Sequence, residues 1–178
     1  MATASPQPEF WLRGPVDGVD PALMPAAHAF LQTLEDAERA AAGLTVDQLW
    51  TSPGGAASAG FHLLHLSGAT DRLLTYARGA TLNDAQKSAL AAEKNPHRTD
   101  AAPLLAELRR TIDAALAQIR ATPATTIQDA RAVGRAGLPT TVLGLIFHAA
   151  EHAQRHAGQL VTTAKIIRGW SHADGLGR

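Results

Sequence analysis

Over most of its length the chain spaces apolar side chains three and four residues apart and almost nowhere alternates them, a period that buries one face of a helix. Alanine and leucine dominate and aromatic residues make up only 4% of the chain, so intrinsic preference points the same way. The expected fold class is all-α.

Four long helices can be laid out. The first begins near Pro21, runs through Leu23, Ala27, Phe30 and Leu34 to Ala42, and stops at Gly43. Thr45 followed by Gln48 has the spacing of a capping box for a short turn with Leu49 and Trp50, which Pro53-Gly54-Gly55 breaks. The second long helix starts about Ser58 and ends near Gly79. A short helix is expected over residues 83–92, with a break at Asn95-Pro96. Asp100 then caps the third, which carries Leu104, Leu108, Ile112, Leu116 and Ile119 and ends at Pro123. Residues 124–139 read as a long connection. The fourth runs from about Thr140 to Arg168, followed by a loose tail. Four helices of roughly 20 to 28 residues joined by two or three long connections make a bundle, which builds its sites from inward side chains on facing helices. The domain reading is an N-terminal arm over residues 1–20, the bundle over 21–170 and a tail over 171–178.

Composition narrows the function. The 16 basic and 16 acidic residues cancel, leaving no charge surplus for sequence-independent nucleic-acid binding, and no nucleic-acid partner is expected. The N-terminal residues lack a signal-peptide pattern, and no apolar run is long enough to span a bilayer. The expectation is therefore a cytoplasmic protein with no membrane partner. There is no cysteine, hence no disulfide, thiolate ligand or cysteine nucleophile, and any thiol chemistry must use a thiol from outside.

Histidine carries the chemistry. There are eight, with His62 and His65 in the second long helix and His148, His152 and His156 in the fourth. Residues four apart in a helix share a face, so His152 and His156, or His148 and His152, can grip one ion. Two ligands make a weak site, and His65, beside the small residues Gly68 and Ala69 that leave room for an ion, is the natural third from another helix. Three imidazoles favour zinc, nickel, copper or iron over calcium or magnesium, with a position left open for water or substrate. His62 and His148 on their own fit packing or a supporting role around the ligands.

The segment His152-Ala-Gln-Arg-His156-Ala-Gly158-Gln159-Leu160 resembles the C-terminal HxxxHxGQ motif of the DinB-like metalloenzyme superfamily. Gly60-Phe-His62-Leu-Leu-His65-Leu66, followed by Asp71-Arg72-Leu73-Leu74-Thr75-Tyr76, resembles its helix-two histidine segment. The resemblance covers nearly the whole chain. It implies a four-helix bundle of antiparallel type with a crossover connection, frequently a homodimer, with a divalent transition metal, zinc or nickel ahead of iron or copper, on His65, His152 and His156. Relatives include transferases and isomerases that use an external low-molecular-weight thiol at the metal, and many members have no established reaction. The expected function is a metal-dependent enzyme that activates water or such a thiol toward an unidentified small molecule. The alternative is a metal-binding or stress-response bundle without turnover.

Other residues have weaker claims. Gln159 fits substrate holding or a buried hydrogen bond, Gly158 a close helix contact, and Arg13 either an anionic substrate or docking of the N-terminal arm. Asp71 and Arg72 point to different sides of their helix, one toward the mouth of the site and the other to solvent. His148-Ala-Ala-Glu151-His152 also fits the HxxEH pattern of inverted zinc proteases, but no glutamate follows Glu151 to complete that ligand set. A di-iron site lacks its Glu-x-x-His elements, haem lacks the aromatic residues that wall such pockets, and no serine-hydrolase elbow or phosphate-binding glycine loop is present. His28, His97 and His172 have no partner at ligand spacing.

Overall fold

A computed structural model describes residues 7–93, 95 and 98–175, and the side chains among these up to residue 170. His97, Pro96, the side chain of His172 and the end of the expected tail lie outside the described residues. Among the described residues there are six α-helices: α1 (Met24–Ala41), α2 (Val46–Trp50), α3 (Ala59–Ala77), α4 (Asp84–Ala92), α5 (Ala101–Ala121) and α6 (Val142–Gly175).

Local chemistry sets most helix ends. Pro25 sits in the first turn of α1, and Gly43 follows its end at φ +73°, in the left-handed region. Thr45 and Gln48 form a reciprocal capping box on α2, and Asn83 and Gln86 form another on α4. Ser58 caps α3 by accepting from Phe61 N. Asp100 holds the capping position of α5, but its side chain makes no capping hydrogen bond.

Two expectations are corrected. The connection after α5 is not merely a loop: β1 (Ala130–Val133) pairs antiparallel with β2 (Leu138–Thr141) around a Gly134 to Gly137 turn, which delivers the chain directly into α6. These strands are short, contain Pro139 and do not alternate clearly, so periodicity could not reveal them. The loose tail expected after Gly169 is instead helical as far as Gly175, because glycine inside a helix costs only about 1 kcal/mol and the preceding turns carry it.

The four long helices form the bundle, with α1 and α3 on one diagonal and α5 and α6 on the other. Contacts between helices give their directions. Gln154 reaches the Ala29 carbonyl and Thr33 while Arg168 reaches the carbonyls of Ala40 and Ala42, so α6 runs parallel to α1. His62 faces His156 and His65 faces His152, so α3 runs antiparallel to α6. Arg109 pairs with Glu38, and Arg120 donates to the carbonyl of Asp17 ahead of α1, so α5 is antiparallel to α1. It follows that α3 and α5 are parallel, and the antiparallel expectation holds for two of the four packed pairs. Parallel neighbours need a connection that travels back along the bundle, and residues 78–100, including α4, provide that crossover.

The core is one cluster, with Phe30, Leu63, Leu108, Ile112, Ile119, Ile146 and Leu160 fully buried. Trp50 of α2 lies on Gly60 of α3, where an added Cβ would come within 2.8 Å of the indole, so a glycine is what lets the short helix close that end of the bundle. Among the described residues no helix is long and apolar enough to cross a membrane. Ile112→Ala should lower stability by about 2–5 kcal/mol, read as a lower urea midpoint with unchanged m-value, since it empties a fully enclosed site.

Candidate metal centre

The site lies where α3 and α6 run antiparallel. A spacing of three residues on α3 meets a spacing of four on α6, each close to one helical turn, so His62 and His65 face His156 and His152 at matching heights. His65 Nε2 is 3.0 Å from His152 Nε2, and His62 Nδ1 is 3.1 Å from His156 Nδ1. One ring nitrogen from each of His65, His152 and His156 lies within 4.8 Å of the others, and all three residues are half-buried. These are the three residues expected to hold an ion, and the fold brings them together.

Glu93, at the end of α4, accepts a 2.8 Å hydrogen bond from His65 Nδ1 through Oε2. Its other oxygen accepts from Arg72 Nη1 at 2.6 Å. Burial raises the Glu93 carboxyl's pKa most strongly, yet the bonds from His65 and Arg72 together hold it below its ordinary value. An ionised carboxylate only accepts, so Nδ1 of His65 carries a proton and Nε2 is the nitrogen left to face His152 and His156. Carboxylates that orient a ligating imidazole in this way also raise its basicity. Phe61 stacks on the His65 ring, centroids 5.4 Å apart and planes 12° from parallel, restraining the same ring from another side.

A second orienting contact comes from His62, which is 4% exposed. With His156 Nδ1 donating to His62 Nδ1, the Nε2 of His156 keeps the lone pair a ligand requires. Burial, then the neighbouring His65, lowers the His62 pKa to about 4. Burial followed by His65, His152 and His62 lowers that of His156 to about 4, and burial with His65 lowers that of His152. Burial therefore favours the uncharged imidazole at His62, His152 and His156. That donor set fits a divalent transition ion.

The remaining candidates fall elsewhere. His148 is half exposed, 3.4 Å from Glu151 through Nδ1, and is not part of the three-histidine group. Glu151 is bound by Arg155 through both oxygens, at 2.8 and 2.6 Å, which leaves the protease-like HxxEH reading without a free base. Gln159 is exposed and lines a small cavity of about 360 Å³ together with His62 and Gly158. A Cβ on Gly158 would meet nothing within 4 Å, so the close helix contact expected there is absent. Arg13 forms a two-point ion pair with Glu35 and lies over the Phe10 ring at 4.0 Å, fastening the N-terminal arm to α1.

Gly68 has a different use from the one expected. A Cβ there would come closer than 3.0 Å to both Glu93 Oε1 and Arg72 Nη1, so its space is taken by this ion pair and not by an ion. Of the adjacent pair, Arg72 turns inward to Glu93, while Asp71 is exposed and accepts from Gln86 Nε2 at 2.7 Å. Glu93 escaped the sequence reading altogether. Its only signal there is a lone acid at the end of a short helix.

A family model described as the DinB superfamily matches residues 29–160. The chain belongs to the DinB superfamily. No curated protein matches it. Among solved structures it is similar to YfiT from Bacillus subtilis, at 13% identity and a TM-score of 0.64, covering 86% of this chain and 93% of that one. That structure is described as "a probable metal-dependent hydrolase with an unusual four-helix bundle topology".

Two outcomes follow. Glu93→Gln should weaken zinc affinity about 10–100-fold, read by competition with a chromogenic chelator, while leaving the helical circular dichroism unchanged. Without metal, stability should fall as pH drops from about 6.5 to about 4. The unfolded chain takes up protons at the ordinary histidine pKa, whereas folded His62 and His156 refuse them until about 4. Their contribution is complete above 6.5 and is lost on acidification. Denaturation midpoints in chelator across that range test this, and His62→Gln should make the decline shallower.

Proposed function

We propose that this chain is a divalent-metal-dependent enzyme in which His65, His152 and His156 hold the ion. The observation that carries the reading is the convergence of three imidazoles within 4.8 Å, one of them fixed in its ligating tautomer by the buried Glu93. The ion, zinc or nickel by donor type, would supply Lewis acidity and lower the pKa of a water or thiol in its fourth position.

The chain's own residues prepare that position. Glu93 and Phe61 hold the His65 ring, and His62 orients His156. The half-buried rings of His152 and His156, and the exposed His148 and Phe147 one turn or more toward the N-terminal end of α6, leave the face open to a small molecule. Hydrolysis is the favoured reaction class, because YfiT, which shares the fold, is described as a metal-dependent hydrolase. Transfer of an external low-molecular-weight thiol is the second class, and it too requires nothing of this cysteine-free chain beyond the ion and its ligands.

Metal content by mass spectrometry, on tag-free protein beside single-alanine variants, tests the reading. About one equivalent is expected in wild type and in His148→Ala, and less than about a tenth of that in His65→Ala, His152→Ala and His156→Ala. Ester and amide hydrolysis by the loaded wild type, lost in the three depleted variants, is expected alongside. Wild type that stays metal-free after reconstitution with zinc or nickel at neutral pH would refute the proposal, and metal bound without turnover would reduce it to a binding role.

A further inference from the structure

The crossover leaves a second, larger opening on the other side of the Glu93–Arg72 pair. A cleft of about 860 Å³ lies between α3, α4 and α5, and none of His65, His152 and His156 lines it. Its volume falls within the range of small-molecule sites. Leu63, Leu64, Leu74, Leu104 and Ala115 supply an apolar wall, and Arg72, Glu93 and Arg78 are among its polar groups.

Two features of this cleft are unfinished. The first is Arg72, whose side chain is only 9% exposed. Of its five N–H donors, one hydrogen bond is made among the described residues, from Nη1 to Glu93. No buried side-chain nitrogen or oxygen there lacks a partner, so the remaining guanidinium donors keep access to solvent, and Arg72 lines the cleft. The second is α4 itself, which has no buried residue although Ala85 and Ala89 line the cleft and Leu90 is 41% exposed. Helices in proteins are held mainly by burying an apolar face. This one is fastened by polar contacts near its two ends, through Gln86 to Asp71 and Thr75 and through Glu93 to Arg72 and His65.

We propose that this cleft is a binding site for a small amphipathic carboxylate, its head group on the open donors of Arg72 and its apolar body between α4 and the leucine wall. Guanidinium recognises carboxylate by paired, charge-assisted hydrogen bonds. Arg78, which also lines the cleft, is held by the neutral partners Gln118 and Thr75, as Asp71 is by Gln86, and Glu107 pairs with Arg110, so the charges of the lining balance and the open donors of Arg72 carry the recognition. An apolar body gives α4 the buried face it lacks. The site stands apart from the metal reading, because the ligand would meet neither the three histidines nor an ion on them.

Calorimetric titration with hexanoate, octanoate and decanoate tests this on zinc-loaded wild type. Saturable one-to-one binding is expected, tightening with chain length and accompanied by a higher Tm. Ala114→Phe fills the cleft from an exposed position of α5, and Arg72→Lys keeps the charge beside Glu93 but loses the paired donors. Each should weaken octanoate at least about tenfold, and octan-1-ol should bind at least about tenfold more weakly than octanoate. His152→Ala, with its metal site disabled, should bind octanoate as wild type does. Absence of saturable binding by all three acids, equal binding of the alcohol, indifference to Ala114→Phe, or loss of binding in His152→Ala would each overturn the proposal, the last by moving the carboxylate onto the metal.

Discussion

Four imidazoles brought face to face in the interior must share protons or share a cation, and much of this structure serves that constraint. His65 Nε2 and His152 Nε2, 3.0 Å apart, would repel if both showed lone pairs with nothing between them. Charging the rings is made costly by burial, which is why His62 and His156 resist protonation until about pH 4. A divalent ion would resolve the conflict by taking the lone pairs of His65, His152 and His156 together, while His62 and His156 share a proton.

The topology follows the same centre outward. The antiparallel packing of α3 on α6 aligns the histidine pairs, and the parallel relation of α3 to α5 obliges the chain to cross back along the bundle. The crossover carries α4, and the end of α4 brings Glu93 to His65. A buried carboxylate beside one imidazole would be expensive alone, but Arg72 takes its second oxygen, and Gly68 gives up a side chain so that the pair can lie against α3. His65, Glu93, Arg72 and Gly68 thus act as one unit that links helix packing to the tautomer of His65.

Much of this was legible in the order of residues because it depends on local spacing. Helix ends marked by Thr45 and Gln48, Ser58 and Gly79 are short-range chemistry, and the shared face of His152 and His156 is helical geometry. Placing His65 as the third ligand required only that its helix pack against theirs. Glu93 was hidden because its role depends on the direction of the crossover, which no local pattern encodes. The inward turn of Arg72 over Asp71 was hidden for the same reason: both lie on α3, and the choice between them is made by where α4 returns. The hairpin of β1 and β2 lacks alternation, and Gly169 is an ambiguous stop that the continuing helix overrides.

The central claim is that three imidazoles on two facing helices coordinate one ion. X-ray absorption at the zinc edge of the reconstituted protein tests it directly. The account predicts scattering from three imidazole nitrogens at about 2.0 Å with one further oxygen ligand, falling to two imidazoles or fewer in His65→Ala. A first shell made of oxygen, or an unchanged imidazole count in that variant, would place the ion elsewhere and contradict the account.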